Sequence, residues 1–167
     1  MDKSEKKLDA EKPPSPEIRI DWFQIASYFL AEESLLPEIR DIPQDQFNFK
    51  NTMTFGISED LANVRVGCSI TMSPKNDIDH TLLSLSTLMY FGIKNAEFYT
   101  DKGFVLLPET TLAFLTITAL STTRGVMFAK NFGTAFERII LPIFDIKKLL
   151  PQKPLQYLSD EQIGALT

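Results

Sequence analysis

One cysteine, one histidine and one tryptophan occur in 167 residues, and seven glycines are scattered singly. The lone Cys68 excludes an intramolecular disulfide and any zinc site built from several thiolates. It falls at an apolar position of an expected strand, where a buried, inert thiol is the ordinary role. The lone His80 excludes histidine-based metal triads, and its turn-to-strand setting points to an ordinary solvated side chain. Isolated glycines cannot build a phosphate-cradling loop. The segment Asn76-Asp77-Ile78-Asp79 lacks the glycine and distal glutamate of a calcium loop and reads as a turn. Glu32 and Glu33 are adjacent, so on a strand they face opposite ways and cannot act as an acid/base pair. The expectation is a protein that is not an enzyme and needs no cofactor.

Basic charge is also scarce. Lys and Arg number 17 against 22 Asp and Glu, a net charge of −5 with no basic cluster. Such a surface repels a phosphate backbone, so nucleic acid is not an expected partner. The first residues, MDKSEKKLDAEKPPSP, contain no apolar core of a signal peptide. No apolar run is read as reaching the ~18 residues needed to cross a bilayer. A cytoplasmic protein without membrane insertion is the resulting expectation.

What is present is a core. The chain is 44% hydrophobic and 23% charged, enough for one domain that buries about 70% of its unfolded surface. Thirteen Phe stand against four Tyr. Phe needs no hydrogen-bond partner, so it suits dry cores and sticky surfaces alike. Residues 1–17 mix both charges and end in prolines, which predicts a disordered arm. The domain proper spans 18–150. Pro151 and Pro154 open a tail over 151–167, in which Ser159-Asp160-Glu161-Gln162 could cap a short helix.

Alternation is cleanest from Phe47 to Ser58, where Phe47, Phe49, Met53, Phe55 and Ile57 hold the odd positions. Val64, Val66, Cys68, Ile70 and Met72 repeat it, so both segments predict half-buried strands. Ile20–Leu30, where a helix is the alternative, and Thr81–Ile93 read as further strands. In the first, Phe23, Ile25 and Phe29 are expected on one face and Trp22, Ala26, Tyr28 and Leu30 on the other. Four successive strands with short links predict an antiparallel meander with one wet face. Lys94–Leu107 is a crossover with a turn at Asp101-Lys102-Gly103. Pro108-Glu109-Thr110 suits a helix start. Beyond it Thr116, Ile117 and Thr118 favour a strand, while Leu112, Leu115, Ala119 and Leu120 fit helical spacing. A helix would end at Arg124-Gly125, the cation on the last carbonyls and the glycine as a left-handed cap.

From Leu112 the order is a threonine-rich apolar segment, Arg124-Gly125, a loop with Gly133-Thr134, then Ile139-Ile140-Leu141-Pro142 and Phe144 to Leu150. This order resembles the C-terminal half of the SecB family of preprotein-export chaperones and their SecB-like relatives. Upstream, Phe23-Gln24-Ile25 and the strand ending Phe91-Gly92-Ile93 sit where that family has its first and fourth strands. The resemblance covers roughly Ile20 to Leu150.

The resemblance implies an α+β fold, a four-stranded antiparallel sheet with two helices on one side. It also implies a homo-oligomer, a dimer of dimers formed through edge strands and the long helix. The threonine face of 110–123 would suit the helix contact, and the strand around Ile20 would pair across a dimer. The implied function is that of an ATP-independent holdase that binds unfolded polypeptides in apolar grooves, for export or for a dedicated client such as an antitoxin. Groove candidates are Trp22, Phe98, Tyr99, Phe104, Leu106, Phe144 and Leu149. Acidic residues that meet the ATPase SecA in the family would fall at Glu32, Leu36 and Ser84, of which Glu32 alone is acidic. With Pro151 and Pro154 shortening the last helix, this favours a specialised chaperone over a SecA partner. Two other classes stay open: an interaction scaffold on the same fold, and a binder of small apolar ligands.

Overall fold

A computed structural model describes residues 13–32, 42–102 and 104–158. Four long strands carry it: β1 (Glu17–Leu30), β2 (Phe47–Ser58), β3 (Asn63–Pro74) and β4 (Leu83–Lys94). β2 begins and ends where its alternation begins and ends. β2 pairs antiparallel with β3 from Phe47↔Pro74 to Ile57↔Val64, and β3 with β4 from Asn63↔Gly92 to Met72↔Leu83. These three strands are a meander joined by short turns.

β1 sits elsewhere than beside β2. The order is β1-β4-β3-β2, with β1 antiparallel to β4. The link over 31–46 is long, not short, and can span the three strand spacings, each ~4.8 Å, that separate β1 from β2. The result is a Greek-key order.

β1 also carries two bulges, between Ile20 and Trp22 and between Ile25 and Ser27. An extra residue inverts which side chains face which side. Phe23 and Ile25 therefore oppose Met89 and Thr87, while past the second bulge Tyr28 and Leu30 oppose Leu85 and Leu83. Phe29 joins Trp22 on the other face, not Phe23 and Ile25, contrary to strict alternation.

After β4 come a 3₁₀ turn (Ala96–Tyr99) and a small hairpin, β5 (Thr100–Asp101) and β6 (Phe104–Val105). Helix α1 (Glu109–Asn131) starts at the expected place, immediately after Pro108. It does not stop at Arg124-Gly125 but continues to Asn131, and the left-handed glycine is Gly133 (φ 79°). Cooperative hydrogen bonding on both sides carries the helix through a glycine that costs only about 1 kcal/mol.

The inner face of the sheet is dry. Val64, Val66, Ile70 and Met72 of β3 and Leu85, Met89 and Phe91 of β4 are buried beneath α1. The helix meets them through Leu115, Ala119, Leu120 and Met127, together with Thr111, Thr116 and Thr123. Of the threonines over 110–123, Thr111, Thr116 and Thr123 pack inward, Thr118 and Thr122 are half-buried and Thr110 is exposed. Thr116 and Thr123 hydroxyls donate to the carbonyls of Leu112 (2.7 Å) and Ala119 (2.8 Å), which satisfies them without water. Phe114, Ile117, Phe128 and Phe132 remain exposed.

Contrary to the expectation from apolar runs, α1 is long and apolar enough to cross a membrane. Its mean hydropathy over 18 residues is 1.4, because threonine weighs little against Phe, Leu and Ile.

An extended segment over 139–145 returns along α1, held where Arg124 Nη2 donates to the Leu141 carbonyl (3.1 Å). Helix α2 (Ile146–Leu149) follows, its first turn capped by Asp145 Oδ1, which accepts from the Lys147 N–H (3.1 Å). Within the tail expected over 151–167, Leu155–Leu158 form a strand, β7. It pairs parallel with the end of β2 and antiparallel with β6. Of the arm expected over 1–17, residues 1–12 lie outside the described residues, while Glu17 belongs to β1 and the Pro14 and Ser15 carbonyls accept from Tyr99 and Asn95. Glu33, Leu36 and the helix expected from Ser159 also lie outside the described residues.

Candidate functional site

One edge of β2 is paired with β3 along its length. On the other edge β7 meets only Ile57 and Ser58. Among the described residues, the backbone of Phe47–Gly56 has no strand partner on that side. Such an edge presents a row of N–H and C=O groups able to pair with another extended chain.

Alongside this edge stands α2. Between them is a hollow of about 380 Å³, walled by Phe49 on β2 and by Phe144 and Leu149 opposite. All three side chains are half-buried against the core formed by Ile70, Met72, Leu83 and Phe136, so their positions are set by packing. Lys50, Asp145 and Lys148 provide a polar rim of mixed sign. The chemistry on offer is apolar contact with hydrogen bonding to backbone, with little demand on sequence.

Asn51 belongs to the same wall. It occupies the inward-facing series between Phe49 and Met53, opposite Ile70. Its Nδ2 donates to Cys68 Sγ (3.8 Å), while its Oδ1 is buried and lacks a partner. It is the one such side-chain atom among the described residues. A buried acceptor without a donor costs about 1–3 kcal/mol.

The seven groove candidates do not form one groove. Phe144 and Leu149 come together here. Trp22 is on the opposite face of the sheet, stacked on Tyr90 with ring centroids 5.1 Å apart. Phe98 is exposed on the 3₁₀ turn, and Tyr99 beside it donates its hydroxyl to the Pro14 carbonyl (3.1 Å). Phe104 is exposed on β6. Leu106, exposed, lines a separate hollow of about 250 Å³ with Leu112 and the segment Pro151–Leu155. The cause is topological: the crossover hairpin joins β7, at the far end of β2 from α2.

Phe49 and Asn51 line the hollow too, although neither is among the groove candidates. The signal was present, since Asn51 is the one polar residue in the odd series of β2. Glu32 is exposed just past the end of β1. Arg124 and Gly125 are inside α1 rather than at its end. His80 is exposed, with Nδ1 3.9 Å from Asp77 Oδ2, and Asn76–Asp79 form exposed turns. Cys68 is buried as expected, and burial pushes its thiol pKa up.

No family model matches the chain, and no curated protein matches it. Among solved structures it is similar to a protein of unknown function from Streptococcus agalactiae. The two are 13% identical with a TM-score of 0.43, over 79% of this chain and 100% of that one.

Proposed function

We propose that this chain is an ATP-independent, SecB-like polypeptide-binding protein that holds unfolded segments along the open edge of β2. The observation that carries this reading is the unpaired run Phe47–Gly56 beside an apolar hollow walled by Phe49, Phe144 and Leu149. An added strand gains backbone hydrogen bonds from the edge and places alternate side chains in the hollow. Recognition by backbone and apolar contact accepts many sequences, as capture of unfolded chains requires. Delivery of clients for export and protection of a dedicated client such as an antitoxin are both served by this chemistry.

The test is light scattering. An unfolded, aggregation-prone protein is diluted into buffer with increasing amounts of this chain and no ATP. Suppression near stoichiometric amounts is expected, and loss of suppression on Leu149→Asp. No suppression at several-fold excess sinks the reading. A thermal shift with small hydrophobic compounds but not with peptides would replace it by a ligand-binding one.

A further inference from the structure

Among the described residues, the four most exposed large apolar side chains are Ile143 (93%), Phe132 (76%), Ile140 (68%) and Phe128 (67%). The fold brings them to one side of the molecule. Phe128 precedes Phe132 by one turn, so both leave α1 on the same side, opposite Ala119 and Thr123, which pack on the sheet. The chain then doubles back, and Phe128 and Ile140 wall one hollow of about 470 Å³ between α1 and the returning segment. Ile143 follows Ile140, with Leu141 buried between them. At ~200 Å² per large side chain, the four exposures leave roughly 600 Å² of apolar surface. That is the upper end of what a typical monomer shows, about 300–600 Å², and patches of this size mark interaction sites.

Charge is divided unevenly about this face. From Arg124 to Lys153 there are six Lys and Arg against Glu137 and Asp145, a net of +4. The rest of the chain holds the other 11 of 17 basic and 20 of 22 acidic residues, a net of −9. Lys130, Arg138, Lys147, Lys148 and Lys153 are all exposed, and Arg124, Arg138 and Glu137 rim the hollow itself. Both acids are engaged by backbone: Glu137 Oε2 accepts from the Gly133 N–H (3.1 Å) and Asp145 Oδ1 from the Lys147 N–H (3.1 Å).

We propose that this face docks on an anionic phospholipid surface. Phe128, Phe132, Ile140 and Ile143 enter the boundary between headgroups and acyl chains, and the cations around them meet lipid phosphates. α1 is apolar enough to span a bilayer, yet only 33% of its most apolar window is buried in the protein. The sheet holds its inner side, so the helix lies on the surface instead of crossing. Phe114 and Ile117, exposed earlier on the same side of α1, lengthen the contact. The acidic remainder of the chain is repelled by the same lipid, which orients the molecule. A second copy is a poorer occupant, since a two-fold contact through this face would set +4 against +4. A fluid surface also receives protruding side chains without matching sockets. None of the four side chains walls the hollow beside β2, so the inference stands whether or not clients bind there.

Flotation of the full chain with vesicles tests it. Phosphatidylcholine vesicles containing phosphatidylglycerol should carry the protein upward, and pure phosphatidylcholine should carry roughly tenfold less. Salt at about 0.5 M should release it, because screening then acts within a few ångström. Phe132→Asp and Ile143→Asp replace exposed side chains, so each should keep its far-UV CD and float on the order of tenfold less. Phe98→Asp, on the hairpin side, should float like the wild type. Should either face variant misfold, Arg138→Glu serves instead and should lose the preference for anionic lipid. The proposal would be overturned by absence of flotation with anionic vesicles, by equal flotation with neutral ones, or by folded face variants that float unchanged. It would also fall if sedimentation velocity showed Phe132→Asp and Ile143→Asp splitting a wild-type oligomer into monomers, which would assign the face to a second copy.

Discussion

The hydroxyls of Thr87 on β4 and Thr123 on α1 are 2.6 Å apart in the buried layer between sheet and helix. Thr123 already donates to the Ala119 carbonyl, so Thr87 is the donor of the pair. Cys68, paired with Thr87 across β3 and β4, accepts from Asn51 Nδ2 on β2. This polar line separates two apolar clusters, one around Ile70, Leu83 and Phe136 and one around Val66, Met89 and Phe91. Because partners are met only in one register, it ties α1 and three strands to a single alignment.

Thr123→Val keeps the shape and leaves the Thr87 hydroxyl without its acceptor, whereas Thr87→Val leaves Thr123 still donating to the Ala119 carbonyl. Thr123→Val should therefore cost about 1–3 kcal/mol and Thr87→Val less. The double variant should cost clearly less than the sum, which urea denaturation can read as a coupling energy. Additive losses would mean that the two hydroxyls do not depend on each other.

At the groove, Phe144→Ser and Leu149→Asp should abolish suppression of client aggregation while Phe98→Ala leaves it intact. Phe144 and Leu149 wall the hollow beside β2, whereas Phe98 is on the hairpin side of the molecule. The reverse order of effects would move the site to the hairpin. Circular dichroism on each variant separates loss of binding from loss of fold.

Cys68 should be inert. Only 1% of it is exposed, and burial holds its thiol in the neutral form above the usual pH range. A thiol reagent at pH 8 should react with the native protein only as fast as it opens, and stoichiometrically within seconds in denaturant. Immediate full reaction of the native state would show that β2 and β3 part readily. Since the folded pKa is the higher one, this group's stabilising effect is complete below the unfolded pKa and fades as pH rises through the folded value.

Asp60 sets an acid limb. Its carboxylate sits below the usual range, chiefly because the Ser58 hydroxyl donates to it (2.5 Å) and also because the Ala62 N–H does (2.9 Å). A depressed folded pKa stabilises above the unfolded value of about 3.9 and loses that effect as pH falls through the folded value. Being exposed, the group contributes modestly. The difference in denaturation midpoint between wild type and Asp60→Asn should shrink from pH 6 to pH 2. A constant difference would sink the assignment.

Much of this fold can be read from a two-residue period. Alternation marks β2 and β3 to within about two residues, and it identifies Val64, Val66, Cys68, Ile70 and Met72 as one buried series. Pro108-Glu109 marks the start of α1 for local reasons of backbone geometry and dipole. The burial of Cys68 and the exposure of His80 are each readable from their neighbours alone. These are local properties, decided by side chains a few residues apart.

The site was less legible, since it arises from two segments about a hundred residues apart. Phe144 and Leu149 were named as apolar, but nothing local says that α2 stands beside β2 and not beside the hairpin of Phe98 and Phe104. The place of β1 beside β4 depends on the reach of the 31–46 link, and its face reversal depends on bulges that only pairing reveals. The longest element was mismeasured at Arg124-Gly125, where cooperative hydrogen bonding outweighs one glycine. Thr116 and Thr123 turn inward because helix carbonyls and Thr87 satisfy their hydroxyls, while Phe114 and Phe128 stay outside. The sequence by itself determined which residues alternate and where a helix begins. Tertiary structure decided which strands pair, which face is buried and where an open edge meets an apolar wall, because those depend on contacts between segments that local spacing does not encode.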